Sequence, residues 1–191
     1  MVGREIIIGS EVFAKNRDQI ETAYQNAFSG HPWYENLSVQ EVRKRLDKDQ
    51  SRSGFNAFIA ENTDGCVLGG LWYDTPTIDE LRITRGESLA DFATNIFKEE
   101  AIQSFVWERE LIVDPQFQRQ HIATDLRENF LDHLKDRYPQ GVLILTRMKE
   151  DNLATIKIAQ NLGYSPTGIK IESSTFPGQY HQYWYKIIKH H

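Results

Sequence analysis

The chain has 191 residues, 40% of them hydrophobic and 26% charged, a balance typical of a folded globular domain. Its net charge of -5 argues against nucleic acid or an anionic membrane as the main partner. No apolar run approaches the roughly 18 residues of a membrane helix. The apolar core of the N-terminal MVGREIIIGSEV is too short for a signal peptide. The one cysteine, Cys66, excludes an internal disulfide and predicts a cytoplasmic location.

The first part of the chain predicts one strand followed by two helices. The strand covers Ile6–Ile8. An amphipathic helix follows, with Asn16 as its cap and Gly30 at its end. The second helix begins where Ser38 and Glu41 have the spacing of a capping box, in which each side chain bonds the backbone of the other.

A hairpin and an insertion come next. Two strand-like runs, Phe55–Glu61 and Cys66–Asp74, flank the turn sequence NTDG and predict a β-hairpin. Residues 75–103 then contain one predicted helix, which begins near Ser88. This segment is too short to bury a core of its own, so we interpret it as an insertion rather than a second domain.

The second half alternates strands with helices. The predicted elements are strand Phe105–Val113, helix Gln120 to about Arg137, strand GVLILT, a helix that ends at Gly163, and strands Tyr164–Glu172 and Tyr180–Ile188. The strand–helix–strand unit predicts a right-handed parallel crossover. Because the two hairpins are antiparallel, the sheet is expected to be mixed.

The junction between strand and helix at QRQHIAT carries the first functional signal. A helix N-terminus exposes unpaired N–H groups and about half a positive charge, which suits an anion and above all a phosphate. Glycines usually mark such loops, and none is present here. A solvated helix start without a ligand is the alternative.

Two motifs resemble the GNAT family of acetyltransferases. In that family a strand ends in Val-x-Pro, and Arg/Gln-x-x-Gly-x-Gly/Ala opens the next helix; a later helix begins with Asn and ends in Leu-Gly-Phe/Tyr. The segments VDPQFQRQHIA and NLATIKIAQNLGY are similar to these patterns. The matching residues are Val113, Pro115, Gln118, Ile122 and Ala123 in the first, and Asn152, Leu162, Gly163 and Tyr164 in the second.

The resemblance implies a fold and a reaction. The fold is α/β (mixed α+β), one domain over 1–191 with a central mixed, mostly antiparallel sheet, helices on both faces, and the helical insertion between strands 3 and 4. The reaction is transfer of an acetyl group from acetyl-CoA to a primary amine, by direct attack in a ternary complex. The implied contacts with the co-substrate are Leu111, Ile112 and Val113 on the strand, Gln118, Arg119, Gln120, His121, Ile122, Ala123 and Thr124 around the diphosphate, and Asn152.

The chain departs from the family pattern at two positions. His121 stands where the family has glycine, and Ala159 stands where it often has a tyrosine that protonates the departing thiolate. We expect a helical φ at His121, which would keep its amide directed at phosphate. The alternative is that the imidazole blocks the site and the chain is a CoA-binding or sensory module with little or no catalysis. A nucleotide-binding α/β protein outside this family is a third interpretation.

The remaining candidate residues would take a proton from the acceptor amine or bind the acceptor. A base is needed because an amine with a pKa of about 10.4 is almost fully protonated at pH 7. The candidate bases are Glu108 and Glu110, which share one face of the strand by its period of two, unless a bulge intervenes; surface carboxylates are the alternative.

The loop HPWYENL resembles the acceptor-side loop of some family members. Its residues Trp33, Tyr34 and Glu35 are therefore candidate acceptor contacts, Glu35 for a cationic group. We expect a small-molecule or peptide amine as acceptor and leave a homodimer open. The histidines lack the spacing of metal ligands, so no metal is expected.

Overall fold

In a computed structural model, described over residues 3–173 and 176–189, the chain forms seven strands and seven α-helices. They are β1 (Arg4–Ile8), α1 (Ser10–Lys15), α2 (Arg17–Ser29), α3 (Val39–Gln50), β2 (Asn56–Asn62), β3 (Val67–Asp74), α4 (Ile78–Arg85), α5 (Glu87–Glu100), β4 (Phe105–Val113), α6 (Ile122–Arg137), β5 (Val142–Lys149), α7 (Leu153–Asn161), β6 (Ser165–Glu172) and β7 (Tyr180–Ile188). The terminal residues His190 and His191 lie outside the described residues.

The strands form a mixed, mostly antiparallel sheet, as predicted. The chain divides into two compact units, one of Met1–Asp74 with Arg109–Leu131 and one of Thr75–Glu108 with Asp132–His191. The division runs through β4. A single domain over the whole chain stays a prediction.

In the first unit, β1 and β2 are antiparallel, as are β2 and β3. Buried side chains from α1, α2, α3 and these strands form its core, in which the rings of Phe13 and Trp72 meet edge to face at 5.3 Å. Ser38 and Glu41 form the predicted capping box at α3. Helix α1 was not predicted, because six residues are too few to show a helical period and only Phe13 is buried in it.

In the second unit, the strands are adjacent in the order β4-β5-β7-β6. β4 and β5 are parallel, with pairs from Phe105–Leu143 to Glu108–Thr146, and the other two pairings are antiparallel. β5 is buried at every position except Arg147. This explains its continuous apolar sequence, which is typical of a strand covered on both faces.

The insertion consists of two helices rather than the one predicted. α4 begins with a capping box of Thr77 and Glu80, and α5 follows directly after Gly86. The sequence prediction missed α4 because it has eight residues and buries only Leu81. Leu81 and three side chains of α5 pack with β4, β5 and β7 in one cluster. The insertion is therefore part of the core of the second unit.

None of the helices in the described residues is long and apolar enough to cross a membrane. The bounds of β4 and β7 match the prediction, whereas α6 begins at Ile122 instead of Gln120. The two residues in question belong to the loop that precedes the helix.

We expect Leu89→Ala to lower the free energy of unfolding by about 2–5 kcal/mol, because Leu89 is fully buried in the core of the second unit. The matched control is Ile83→Ala in α4, where the side chain is 83% exposed and the change should stay within about 0.5 kcal/mol. Urea denaturation followed by circular dichroism measures both. Equal effects of the two substitutions would contradict a core role for the insertion.

Candidate functional site

The exit from β4 is fixed by the buried carboxylate of Asp114. Its Oδ1 accepts from the amide of Gln116 at 2.9 Å, and its Oδ2 accepts from Nδ2 of Asn26 at 2.8 Å. Its own amide donates to the carbonyl oxygen of Leu68 at 3.0 Å. These bonds start a single 3-10 turn over Pro115–Phe117, and they tie it to α2 and β3 within the first unit.

β3 approaches the end of β4 too closely for a side chain at Gly69. A Cβ atom at that position would lie 2.5 Å from the carbonyl oxygen of Ile112 and 3.1 Å from the Cα of Val113. The missing side chain therefore allows the two backbones to meet at the residues that the resemblance assigns to the co-substrate. Sequence reasoning did not identify Gly69, although a Gly-Gly pair inside a strand signals close backbone approach.

The loop from β4 into α6 contains two left-handed residues. Arg119 and His121 both have a φ of 63°. The expectation of a helical φ at His121 is therefore wrong. The chain turns from the extended Gln118 into the helix within three residues, and the left-handed conformations of Arg119 and His121 make this turn. A left-handed conformation favours glycine, which the family has at this position.

The amides of this loop point to an anion site. Within the described residues, the N–H groups of Arg119 through Thr124 donate no hydrogen bond, and the first helical bond runs from Asp125 to the carbonyl oxygen of His121 at 3.0 Å. Residues 118–121 are exposed, Ala123 and Thr124 are partly exposed, and the Ile122 side chain is buried. Together with the positive end of α6 these amides can bind the charge of a phosphate.

Arg4 of β1 holds the far side of the loop. Its Nη1 donates to the carbonyl oxygen of Gln120 at 2.5 Å, and its guanidinium forms an ion pair with Asp125 in the first turn of α6. A carboxylate at that place stabilises a helix but repels a bound anion. The ion pair with Arg4 offsets this repulsion.

The candidate base Glu108 lies in the second unit and is 2% exposed. Its Oε2 accepts from the Tyr164 hydroxyl at 2.8 Å. Its backbone carbonyl oxygen accepts from the Thr146 hydroxyl at 3.1 Å. Tyr164 belongs to the second motif, but its role could not be read from the sequence because 56 residues separate it from Glu108.

The other candidate, Glu110, lies in the first unit and is partly buried. Burial raises the pKa of Tyr24 far above its usual range, and the charge of Glu110 raises that pKa further. Arg45 acts in the opposite direction on that pKa, and its Nη1 lies 2.7 Å from Oε2 of Glu35. The two glutamates of β4, which alternation placed on one face, thus have different partners.

The loop HPWYENL belongs to the same group of side chains as Tyr24 and Arg45, because its Glu35 lies against Arg45. Trp33 packs against Phe28 with ring centroids 5.1 Å apart, and Tyr34 is 67% exposed. Because the Glu35 carboxylate is paired with Arg45, a cationic acceptor would share it with that guanidinium. The structure brings Glu35 and Glu110 to the surroundings of Tyr24, a residue that sequence reasoning did not select.

The second motif has structural roles. Asn152 is the cap of α7, and its side chain accepts from the amide of Thr155 at 3.4 Å. Ala159 is fully buried, and its carbonyl oxygen accepts from the amide of Tyr164. In the described residues no group of three or more His, Cys, Asp or Glu could hold a metal ion.

No protein-family model matches the chain, and no curated protein matches it. Solved structures resemble it over nearly its whole length. An N-acetyltransferase from Staphylococcus aureus Mu50 has a TM-score of 0.64 at 14% identity and covers 96% of this chain and 98% of its own. The ribosomal-protein-S18-alanine N-acetyltransferase of Escherichia coli has a TM-score of 0.61 at 14% identity, covering 99% and 96%.

A third structure, yncA from Salmonella typhimurium, holds its cofactor acetyl-CoA. Its TM-score is 0.65 at 12% identity, and it covers 99% of this chain and 96% of its own. At these identities the likeness shows that the folds are the same.

We expect His121→Gly to raise the free energy of unfolding by roughly 0.5–1 kcal/mol, because glycine adopts a φ of 63° without the cost that a side chain imposes. The matched control is Gln120→Gly next to it, where φ is not positive and the change should lower stability by roughly 0.4–1 kcal/mol. Urea denaturation measures the two. Loss of stability in both variants would argue against the left-handed loop.

Proposed function

We propose that this chain, whose fold is that of the GNAT N-acetyltransferases, transfers an acetyl group from acetyl-CoA to a primary amine. One observation carries the proposal. Six consecutive amides, from Arg119 to Thr124, donate no hydrogen bond within the described residues and stand at the start of the helix that follows β4. They fit a diphosphate, which accepts several N–H bonds and matches the positive end of the helix.

The end of β4 would bind the arm of the co-substrate. The pairs of β4 with β5 extend from Phe105 to Glu108, and Leu111, Ile112 and Val113 lie beyond them. Their backbone N–H and C=O groups would pair with the amides of the pantetheine arm. When bound, acetyl-CoA supplies an acetyl group activated as a thioester. A backbone N–H of this strand would polarise its carbonyl, as in an oxyanion hole.

A carboxylate would then take the proton of the amine. Only about one amine in a few thousand is neutral at pH 7, so a base contributes roughly 10²–10⁴ in rate. As the carboxylate accepts the proton, the nitrogen–carbon bond forms and the carbon–sulfur bond breaks. We assign this role to Glu110, which belongs to the same unit as the amide loop and is less buried than Glu108.

The leaving thiolate needs less help. With a pKa of about 8.5 it departs readily and takes up a proton from solvent. Ala159 in place of a tyrosine therefore does not prevent the reaction. We assign Glu108 a positioning role, since its carboxylate is buried and bonded to Tyr164.

A CoA-binding or sensory module without catalysis is the second candidate. One observation favours it: two polar residues of the second motif make contacts within the fold. Asn152 caps α7, and the Tyr164 hydroxyl donates to Glu108. Such a module would use the same amides. Acetyl-CoA binding alone does not separate the two functions, so the test must include turnover.

Gln120→Glu should weaken acetyl-CoA binding about tenfold at low salt and less at high salt, because it puts a negative charge beside the diphosphate without changing side-chain size. Isothermal titration calorimetry measures the dissociation constant. The matched control is Gln116→Glu, an exposed residue of the preceding turn, which should change affinity little. Equal effects of both changes would show that the diphosphate lies elsewhere.

Glu110→Gln should lower kcat by roughly 10²–10⁴ while acetyl-CoA affinity stays unchanged, because the amide cannot accept a proton at neutral pH. Release of free thiol from acetyl-CoA, over a panel of amines, amino acids, polyamines and peptides, measures turnover. Glu5→Gln in β1 is the control for the loss of one charge in the same unit. Tight binding without thiol release for any amine would instead support the sensory module.

A further inference from the structure

A cleft of about 440 Å³ lies within the second unit, at the end of β7. Three lysines contribute to its lining, which consists of Glu100, Lys135, Lys186, Ile187, Ile188 and Lys189. These residues belong to α5, α6, β7 and the position that follows β7. A cleft of this volume can admit a small molecule. The proposed acetyl transfer uses none of the residues that line it.

The three lysines of the cleft differ in their partners. Nζ of Lys189 lies 2.5 Å from Oε2 of Glu100, and Nζ of Lys135 lies 2.6 Å from Oδ1 of Asp132. Lys186 forms no ion pair or hydrogen bond within residues 3–173 and 176–189. No carboxylate in this part of the chain therefore stabilises the ammonium form of Lys186.

The Lys186 side chain is partly buried, and its nitrogen lies against the end of α7. A Cβ atom at Gly163 would lie 2.9 Å from Nζ of Lys186. Gly163 has a φ of 80°, a left-handed conformation that favours glycine. The glycine of the second motif thus also leaves the space that the lysine nitrogen occupies.

This environment favours the neutral amine of Lys186. Burial, followed by the positive charge of Lys135, lowers the pKa of the Lys186 ammonium group. A lysine at its usual pKa of about 10.4 is almost fully protonated at pH 7, and only the neutral amine is a nucleophile. Desolvation beside a second cation is a known way in which proteins activate a lysine.

We propose that Lys186 is a site of covalent acylation, at which its amine takes an acyl group from an activated donor that enters the cleft. The donor is a thioester or an acyl phosphate, since each has a carbonyl carbon joined to a good leaving group. This inference goes beyond the proposed function and does not depend on acetyl transfer to an external amine.

The reaction at Lys186 needs no further reagent. The nitrogen–carbon bond forms as the carbon–sulfur bond of a thioester, or the carbon–oxygen bond of an acyl phosphate, breaks. The leaving group keeps the electron pair of that bond, and the nitrogen loses its proton to solvent. The product is a neutral amide, so acylation removes the positive charge next to Gly163.

The first test measures acetylation of the full chain at each lysine. Acetyl-CoA and acetyl phosphate are supplied in separate incubations at neutral pH, and mass spectrometry of proteolytic peptides gives the rates. Lys186 should react at least about threefold faster than Lys157 of α7 or Lys44 of α3, which are exposed. Its rate should also rise at a lower pH than theirs.

The two incubations distinguish the sources of the acyl group. Faster reaction of Lys186 with one donor alone supports the proposal and identifies that donor, and faster reaction with both supports the shared chemistry. Equal or slower reaction of Lys186 with both donors would overturn the proposal. Failure of the proposed function would leave this test intact, because acetyl phosphate contains no CoA and the assay needs no external amine.

A second measurement tests the environment of Lys186 without any donor. A partly buried ammonium group whose pKa is lowered destabilises the fold below that pKa, and this penalty disappears as pH rises through the usual pKa of lysine. Lys186→Met should therefore raise the urea concentration at the midpoint of unfolding at pH 7. The matched control is Lys157→Met, at an exposed position of the same unit. A midpoint for Lys186→Met no higher than that of the control would overturn the proposal.

Discussion

The hydrogen bonds of Asp114 are the constraint on which the candidate site depends. A loop with two left-handed residues can present its amides to solvent only if both of its ends are held, since unpaired backbone otherwise finds partners in the chain. Asp114 fixes the end at β4 through Asn26 and Gln116, and Arg4 fixes the end at α6. The amides are therefore directed by side chains that lie outside the loop.

The two departures from the family pattern have different effects: His121 affects the conformational energy of the loop, and Ala159 affects protonation of the leaving thiolate. His121 costs conformational energy, because a side chain is held at a positive φ, but its backbone N–H and that of its neighbours remain available. Ala159 removes a proton donor for a thiolate that leaves readily without one. Neither change removes the backbone donors or the carboxylates, which carry the larger energetic share of the proposed reaction.

Much of the fold could be predicted from the sequence, because its elements are long and periodic. The bounds of β4 and β7 follow directly from their apolar runs, and the capping box at Ser38 marks α3. Short helices such as α1 and α4 were missed, since each buries one side chain and shows no period. The left-handed φ of His121 was mispredicted because glycine is the residue that most often signals such a conformation in a sequence, and this position has none. Contacts such as Tyr164 with Glu108 join distant segments and leave no local pattern.

The neighbouring glycines of β3, Gly69 and Gly70, differ in how well they tolerate a larger side chain. At Gly70 an added methyl group would first meet the end of the flexible Ile59 side chain at 3.0 Å, which can rotate away. At Gly69 it would meet the backbone of Ile112, which cannot move without shifting the strand. At Gly70 the carbonyl oxygen of Phe58, at 3.3 Å, would need to shift by only a few tenths of an ångström, so alanine costs less there than at Gly69, where it would push β3 away from the end of β4.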